Sequence, residues 1–281
     1  MTPVGVVGAG VMGTGVAQAL AASGQDVVLV DLREDVLARA RDEIGRICRL
    51  GRLMGGASTN PQQALDRITT SVDHKALSRA RIVIENITED WEGKRRLYQE
   101  IDSICDPECI FVANTSAIPV TRIAAATGRP DRVVGVHFMN PVYAKPAVEL
   151  IAGHHTSPNT LDQVRGLLAE MGKKAIEVND ACGFVSNRVL MLTVNEAAYL
   201  VYEGTATAHT VDEVFRSCFG HPMGPLETAD LIGVDTILRS IEVLYKHYAD
   251  TKYRPCPLLK HMYEAGLHGR KSGEGFYEYQ S

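Results

Sequence analysis

The sequence of 281 residues lacks several features that would each indicate a particular class of protein. It has no excess of basic residues, since 29 lysines and arginines face 34 aspartates and glutamates, and the net charge of −5 argues against a nucleic-acid partner. Its six cysteines form no Cys-x-x-Cys pair and have no histidine at zinc spacing, so we expect reduced thiols and no metal site. No apolar run approaches the length of a membrane span, and the strand pattern directly after Pro3 leaves no room for a signal segment. These absences favour a folded cytoplasmic protein that does not bind a membrane.

What the chain does contain is a glycine-rich turn between an apolar run and a helical pattern. Val4 to Val7 predicts a buried strand, Gly8-Ala9-Gly10-Val11-Met12-Gly13 follows at once, and residues 14–22 predict a helix. The three glycines suit a tight turn, the close approach of a pyrophosphate, and packing of the helix on the strand. The flanks therefore strengthen a motif that is weak alone, and we expect this turn to bind a dinucleotide, with contacts from Gly8, Gly10, Val11, Met12 and Gly13.

An acidic residue follows the second apolar run. Asp31 directly follows the apolar run at residues 26–30. A carboxylate at this position would accept hydrogen bonds from the adenine ribose and repel a 2′-phosphate. This position predicts NAD rather than NADP, although Arg33 is nearby. Asp31 could also cap the helical segment that starts near Arg33, and the two roles are compatible.

Polar chemistry is concentrated between residues 131 and 151. Val133–Val136 and Ala147–Ile151 predict buried strands, His137 follows the first, and Glu149 lies inside the second. A carboxylate in a buried strand is costly unless a partner compensates it, and His137 is the nearest candidate in the sequence. An imidazole held by a carboxylate is an oriented general base. We therefore predict a catalytic pair.

The remaining pattern predicts an α/β half followed by a helical half. Further strands are expected at 81–84, 110–113 and 175–178, with polar clusters at Glu85–Asp90 and Asn114–Ser116 where a parallel sheet would present its strand ends. Residues 34–56 and 61–66 predict a helix-turn-helix excursion broken at Gly55-Gly56. Beyond Asp180 the expected elements are helices, at 184–202, 211–219 and 230–248. We predict a dinucleotide-binding domain at 1–180 and a helical domain at 181–281, which would bury its excess apolar surface in a homodimer.

Six motifs resemble, in content and in order, those of the 3-hydroxyacyl-CoA dehydrogenases, including the bacterial 3-hydroxybutyryl-CoA dehydrogenases. They are Gly8-x-Gly10-x-x-Gly13, Asn114-Thr115-Ser116, Gly135-Val136-His137-Phe138-Met139-Asn140-Pro141, Gly183-Phe184-Val185-Ser186-Asn187-Arg188, His221-Pro222-Met223-Gly224-Pro225 and Gly269-Arg270-Lys271-Ser272-Gly273-x-Gly275-Phe276-Tyr277. The resemblance covers essentially the whole chain. It implies a Rossmann-like N-terminal domain, a helical C-terminal domain that dimerises, NAD as cofactor, and a short 3-hydroxyacyl thioester as substrate.

The resemblance also implies a role for each matching residue. His137 would be the catalytic base and Glu149 the carboxylate that orients it, while Ser116 and Asn187 would contact the reacting oxygen. The cofactor would be contacted in addition by Asn114, Ser116, Asn140, Glu89, Lys94 and Lys271. Three further substrate residues lie where the chain departs from the family pattern. On the arginine-rich arm, which is the helical segment at 34–56, Arg49 and Arg52 could meet the phosphates of the carrier, and Lys145 beside the acyl pocket could pair with a polar or acidic acyl chain.

Other hypotheses remain open at this point. The same chemistry could act on a 3-hydroxyacyl group of an acyl carrier protein, such as a glyceryl unit for polyketide synthesis, since the Lys145-Pro146 loop and the arm differ from the usual family pattern. A gulonate-type sugar-acid dehydrogenase is a second alternative, and a nucleotide-binding structural protein with an inactive site is a third. The alternative for Lys94 is a solvated helix charge.

Overall fold

A computed structural model of the protein describes residues 2–53 and 60–279, and the side chains of residues 51–53 lie outside that description. The chain divides into two compact units, Met1–Asp180 and Ala181–Ser281. The strands of the first unit are β1 Val4–Val7, β2 Val27–Val30, β3 Ile68–Ser71, β4 Ile82–Glu85, β5 Ile110–Ala113, β6 Val133–His137, β7 Ala147–Ala152 and β8 Lys174–Asn179. Its helices are α1 Val11–Ala22, α2 Glu34–Leu53, α3 Pro61–Asp66, α4 Trp91–Ile104, α5 Val120–Ala124 and α6 Pro158–Glu170.

The eight strands form one mixed sheet in the order β3-β2-β1-β4-β5-β6-β7-β8. Strands β1 to β6 pair in parallel, whereas β7 runs antiparallel to β6 and parallel to β8. The order reverses at β1 and β4, so the carboxyl ends of these strands open the crevice in which doubly wound sheets bind ligands. This is the Rossmann-like architecture expected from the glycine-rich turn.

Apolar side chains from both the strands and the helices fill the core of this unit. Val6 and Leu29 of the sheet pack with Leu20 of α1, and Leu37 and Ile44 of α2 join the same cluster. The N-terminal turns of α2 therefore cover the sheet like an ordinary crossover helix. The predicted break at Gly55-Gly56 lies outside the described residues.

The second unit is helical in the part of it that the structure describes. Its helices are α7 Ser186–Tyr202, α8 Ala208–Phe219, α9 Pro225–Ile232, α10 Val234–Tyr248 and α11 Pro257–Glu264. The C-terminal tail folds back on the helices because Asp230, which is 1% exposed, accepts the backbone N–H groups of Phe276 and Tyr277 at 3.0 Å each. The glycines of the tail allow this approach, since a Cβ at Gly275 would overlap the Asp230 carboxylate.

One predicted boundary is wrong. The single helix expected at 230–248 is two helices, α9 and α10, because Gly233 adopts a φ of +105°, in a region that favours glycine. Helices α5 and α11 and the edge strand β3 are not predicted from the sequence. Strand β3 has the burial pattern of an edge strand, with only Ile68 fully buried, so its apolar signal is weak.

Candidate active site

The histidine and glutamate selected from the sequence lie opposite each other on neighbouring strands. His137 ends β6 and pairs in register with Glu149 of the antiparallel strand β7. Residues directly opposite each other in such a ladder project to the same face of the sheet. His137 Nδ1 and Glu149 Oε2 are 2.8 Å apart, and each residue is only 6% exposed. The antiparallel turn after β6 thus creates the predicted pair.

Ser116 extends this pair on the other side of the imidazole. Its Oγ lies 3.2 Å from His137 Nε2, in the segment that follows β5. Because an ionised Glu149 can only accept a hydrogen bond, Nδ1 must be the donor, and in a neutral imidazole Nε2 is then the acceptor. The arrangement leaves Nε2 facing a hydroxyl, as a general base requires.

One buried ammonium lies between two carboxylates beside Ser116. Lys94 is 0% exposed, and its Nζ donates to Glu85 Oε1 and Oε2 at 2.7 and 2.8 Å and lies 3.4 Å from Glu89 Oε2. The alternative interpretation of Lys94 as a solvated helix charge is therefore wrong. The predicted cofactor contact of Lys94 has no direct route in this conformation, because the ammonium is enclosed by carboxylates.

Glu89 connects the Lys94 ammonium to the serine segment. Its Oε1 accepts the Thr115 hydroxyl at 2.5 Å and the backbone N–H groups of Ser116 and Ala117 at 2.9 Å each. Burial by itself would raise the pKa of Glu89, but the Lys94 ammonium and these hydrogen bonds hold that pKa below its usual value. Glu89 therefore keeps its charge while it fixes the backbone that carries Ser116.

The amide of Asn114, predicted to contact the cofactor, ties together the ends of three strands. Its Nδ2 donates to Asn86 Oδ1 at 2.7 Å, its Oδ1 accepts the N–H of Phe138 at 3.3 Å, and Asn86 Nδ2 donates to the Ile84 carbonyl at 3.0 Å. Since Phe138 follows His137 directly, this amide chain fixes the backbone next to the base. Asn140, also predicted at the cofactor, is exposed and precedes Pro141 through a cis peptide bond.

The glycine-rich turn has the geometry that a dinucleotide requires. Gly8 has a φ of +89°, a Cβ at Gly13 would lie 1.7 Å from the Gly8 carbonyl oxygen, and Gly10 faces open space. The N-terminus of α1 receives no side-chain cap, so its N–H groups can serve a phosphate. Asp31 accepts the N–H of Ala9 at 2.9 Å and that of Arg33 at 3.1 Å. The glycine-rich turn, the N-terminus of α1 and Asp31 therefore fit NAD as the cofactor.

Two clefts of the first unit flank this turn. One, of about 500 Å³, is bounded by Gly8, Asp31, Asn86 and Ile87. The other has a volume of about 620 Å³, and predicted cofactor residues of the glycine-rich turn and of the loop after β6 both line it. Its lining includes Gly10, Val11, Arg39, Arg46, Asn140 and Tyr143. Helix α1 begins with Val11, which is exposed, and Met12, which is half-buried.

The residues predicted for the substrate are dispersed. Lys145 is exposed at the end of the loop between β6 and β7, and Arg49 is exposed on α2. The side chain of Arg52 lies outside the described part of the chain. Lys173, which the sequence analysis does not select, fixes the loop between β6 and β7. It is 8% exposed, and its Nζ donates to the carbonyls of Val142 and Lys145 at 2.6 and 2.7 Å. Burial lowers the pKa of this lysine.

Two further predicted site residues belong to the second unit. Asn187 is half-buried in the first turn of α7, which starts after Gly183 at a φ of +77°. Lys271 lies in the turn after Gly269, and its Nζ forms an ion pair with Asp235. The structure thus brings Ser116, His137 and Glu149 together within the first unit, whereas Asn187 and Lys271 belong to the second.

Glu85 was not selected as a site residue, although the sequence contains its signal. It directly follows the apolar run Ile82-Val83-Ile84 and belongs to β4, where it is 0% exposed. The reasoning that selected Glu149, a carboxylate in a buried strand, applies equally to Glu85. Burial raises the pKa of Glu85, and the Lys94 ammonium opposes that shift.

This fold and site define a dinucleotide-binding oxidoreductase. Residues 3–181 match the family model described as 3-hydroxyacyl-CoA dehydrogenase, NAD binding domain, and residues 183–279 match that of the 3-hydroxyacyl-CoA dehydrogenase C-terminal domain. The chain belongs to the 3-hydroxyacyl-CoA dehydrogenase family and is an NAD-dependent enzyme of that type. The resemblance predicted from the six motifs is confirmed.

Individual relatives are similar over the full length. A probable 3-hydroxybutyryl-CoA dehydrogenase of Bacillus subtilis is 45% identical, over 98% of this chain and 96% of its own. The crystal structure of (S)-3-hydroxybutyryl-CoA dehydrogenase PaaH1 from Ralstonia eutropha superposes with a TM-score of 0.94 at 41% identity, covering 100% of both chains. That of M. tuberculosis FadB2 gives a TM-score of 0.96 at 36% identity, covering 100% of this chain and 99% of the other.

Among residues 2–53 and 60–279, no helix combines the length and apolar character needed to cross a bilayer. The same part of the chain contains no group of three or more histidine, cysteine, aspartate or glutamate side chains arranged to hold a metal ion. All six cysteines are free thiols, and five of them are buried.

Proposed function

We propose that this protein interconverts (S)-3-hydroxybutyryl-CoA and acetoacetyl-CoA, with His137 as the general base. The observation that carries the proposal is the continuous hydrogen-bonded series of Ser116, His137 and Glu149, at 3.2 and 2.8 Å. The names of full-length relatives support a four-carbon acyl chain. The residues of the series provide what the oxidation of a secondary alcohol needs from a protein, which is a base next to a hydroxyl-binding group.

In the mechanism, NAD supplies the hydride acceptor when it is bound. His137 Nε2 accepts the proton of the 3-hydroxyl group, and the imidazole becomes an imidazolium. The carboxylate of Glu149, 2.8 Å from Nδ1, stabilises that positive charge and keeps the ring in its orientation. Ser116 and Asn187 hold the reacting oxygen, which lowers the entropic part of the barrier. In the reductive direction, His137 returns the proton to the alkoxide oxygen.

The cofactor would be held chiefly by the first unit. The pyrophosphate would lie on the turn formed by Gly8, Gly10, Val11, Met12 and Gly13. The Asp31 carboxylate would accept hydrogen bonds from the hydroxyls of the adenine ribose. The carboxylate of Asp31 disfavours a 2′-phosphate, which supports NAD over NADP. We further assign Asn114, Asn140, Glu89 and Lys271 to contacts with the nicotinamide half of NAD. Lys94 would act on the cofactor only indirectly, through its contact with Glu89.

The charge of helix α2 favours coenzyme A over an acyl carrier protein as the carrier. Over the length of α2, the five arginines Arg39, Arg41, Arg46, Arg49 and Arg52 are nearly balanced by the four acids Glu34, Asp35, Asp42 and Glu43. Arg39 pairs with Asp35, and Arg46 with Glu43, at 3.0 and 2.6 Å. A balanced surface gives little long-range attraction to an acidic partner protein. Arg49 and Lys145 remain exposed for single phosphate or carboxylate groups.

The second unit would contribute to the substrate site and form a homodimer. Several large apolar side chains are exposed on it, which supports an interface with a second copy: Val185, Val189, Tyr202, Phe219 and Leu231, each at least half exposed. Light scattering coupled to size-exclusion chromatography measures the mass directly. A monomer at micromolar concentration would contradict the dimer.

The substrate assignment is tested by NADH oxidation with a 3-oxobutyryl group presented on coenzyme A, on an acyl carrier protein and on a pantetheine thioester. A series of longer 3-oxoacyl-CoA substrates and a gulonate oxidation assay complete the comparison. We expect the highest kcat/KM with acetoacetyl-CoA. Preference for the carrier protein, for a longer chain or for gulonate would overturn the proposed substrate, whereas inertness towards all of them would overturn the proposed chemistry.

A further inference from the structure

A second acidic side chain, remote from the reacting groups, is linked to the catalytic serine through a series of polar contacts. Glu85 is 0% exposed at the end of β4, and each of its oxygens has a partner besides Lys94. Its Oε1 accepts the N–H of Ile87 at 2.7 Å, and its Oε2 accepts the hydroxyl of the fully buried Tyr98 at 3.2 Å. Four hydrogen bonds from three groups therefore fix the Glu85 carboxylate in one orientation, and with it the position of the Lys94 ammonium.

A buried ion pair of this kind needs an explanation other than stability. The desolvation of two charges commonly cancels their attraction, so an apolar pair of the same volume would stabilise the fold equally well. The Lys94 ammonium, however, also reaches Glu89 Oε2 at 3.4 Å and the Asn114 carbonyl at 3.4 Å. The pair thus holds a positive charge at a defined distance from the carboxylate that fixes the Ser116 segment.

We propose that Glu85 is a positioning residue for catalysis, which acts through Lys94 and Glu89 on Ser116. The series of contacts runs from Glu85 to Lys94 at 2.7 Å, from Lys94 to Glu89 at 3.4 Å, from Glu89 to the Ser116 N–H at 2.9 Å, and from Ser116 Oγ to His137 at 3.2 Å. Without the charge of Glu85, Lys94 has Glu89 as its only carboxylate partner among the described residues and moves towards it. The hydrogen bonds that Glu89 accepts from the backbone N–H groups of Ser116 and Ala117 are then weakened.

The inference rests on the proposed roles of Ser116 and His137, and a double-mutant cycle separates the two claims. Glu85→Gln keeps the shape of the side chain and removes its charge. We expect it to lower kcat for acetoacetyl-CoA reduction about tenfold, because small displacements of a positioning group are costly. In a Ser116→Ala background the same change should alter kcat by about twofold at most, since coupled residues are not additive. Purely structural damage would lower kcat equally in both backgrounds.

A matched control is Glu92→Gln, which removes an exposed carboxylate from α4, the helix that carries Lys94; Glu92 pairs there with Arg95. It should leave kcat unchanged. If Glu85→Gln does not fold, Tyr98→Phe replaces it in the cycle, because it removes one hydrogen bond to Glu85 and leaves the ring in the core. We then expect a fall of about two- to threefold in kcat that disappears in the Ser116→Ala background.

The outcomes separate the positioning role of Glu85 from the proposed role of Ser116. Additive effects of Glu85→Gln and Ser116→Ala, or a kcat unaffected by Glu85→Gln, would overturn the positioning role while leaving the proposed function intact. A Ser116→Ala enzyme with unchanged kcat would instead contradict the proposed role of the serine. A strong loss that depends on Ser116 supports both.

Discussion

The charge of Glu149 makes the most specific prediction. Glu149→Gln keeps a hydrogen-bond acceptor 2.8 Å from His137 Nδ1, so the ring can keep its orientation, but the negative charge that faces the imidazolium disappears. Unit charges about 4 Å apart attract each other by roughly 4 kcal/mol at an effective dielectric constant of about 20. Since about 1.4 kcal/mol corresponds to a factor of ten in rate, we expect kcat to fall roughly 10²- to 10³-fold.

The assay is the steady-state oxidation of NADH by acetoacetyl-CoA, with the Kd of NAD measured separately by calorimetry. That Kd should not change, because Glu149 is distant in the sequence from the glycine turn and does not line either cleft described above. Glu177→Gln is the control, since it removes an exposed carboxylate from the adjacent strand β8, and it should leave kcat unchanged. A fall of less than about fivefold in the Glu149 variant would refute the electrostatic argument.

Three further predictions concern the cofactor turn and stability. Asp31→Ala should weaken NAD binding at least about tenfold, because hydrogen bonds to a charged group contribute about 1.5–3 kcal/mol each. The same variant should raise the affinity for NADP relative to that for NAD. An unchanged ratio of the two affinities in a calorimetric titration would contradict the ribose role. Gly13→Ala should weaken NAD binding, because the new Cβ would lie 1.7 Å from the Gly8 carbonyl oxygen, whereas Gly166→Ala, in open space on α6, should not. The lowered pKa of Glu89 contributes stability above its ordinary pKa of 4.5 and loses it as the pH falls through the folded value. Glu89→Gln should therefore flatten the decline of Tm below about pH 4.5, and an equally steep decline would exclude this contribution.

Much of the site could be predicted because its residues interrupt apolar strands. The glycine turn, Asp31 and the pair of His137 and Glu149 each follow or interrupt an apolar run, and the physical cost of a buried charge identifies Glu149 without any structure. The two-part architecture follows from the change from strand to helix patterns near residue 180. These features depend on short stretches of sequence, in which periodicity and turn chemistry are informative.

The rest depends on contacts between distant segments. Lys94 looks like a solvated helix charge, since nothing in residues 91–104 indicates that its ammonium is enclosed by Glu85 and Glu89. Lys173 likewise binds carbonyls 28 and 31 residues away. The sequence does not predict the break at Gly233, because the residues on both sides have helical patterns and a positive φ does not alter the hydrophobic periodicity.

The central claim, that His137 is the base of an alcohol oxidation, is tested most directly in a single turnover. Wild-type enzyme and His137→Gln would be mixed with NAD and (S)-3-hydroxybutyryl-CoA, with NADH fluorescence as the signal and the Kd of NAD measured alongside. We predict an unchanged Kd and a rate of NADH formation that falls about 10²- to 10⁴-fold, the usual contribution of general-base catalysis. NADH formation within about tenfold of the wild-type rate would contradict the assignment.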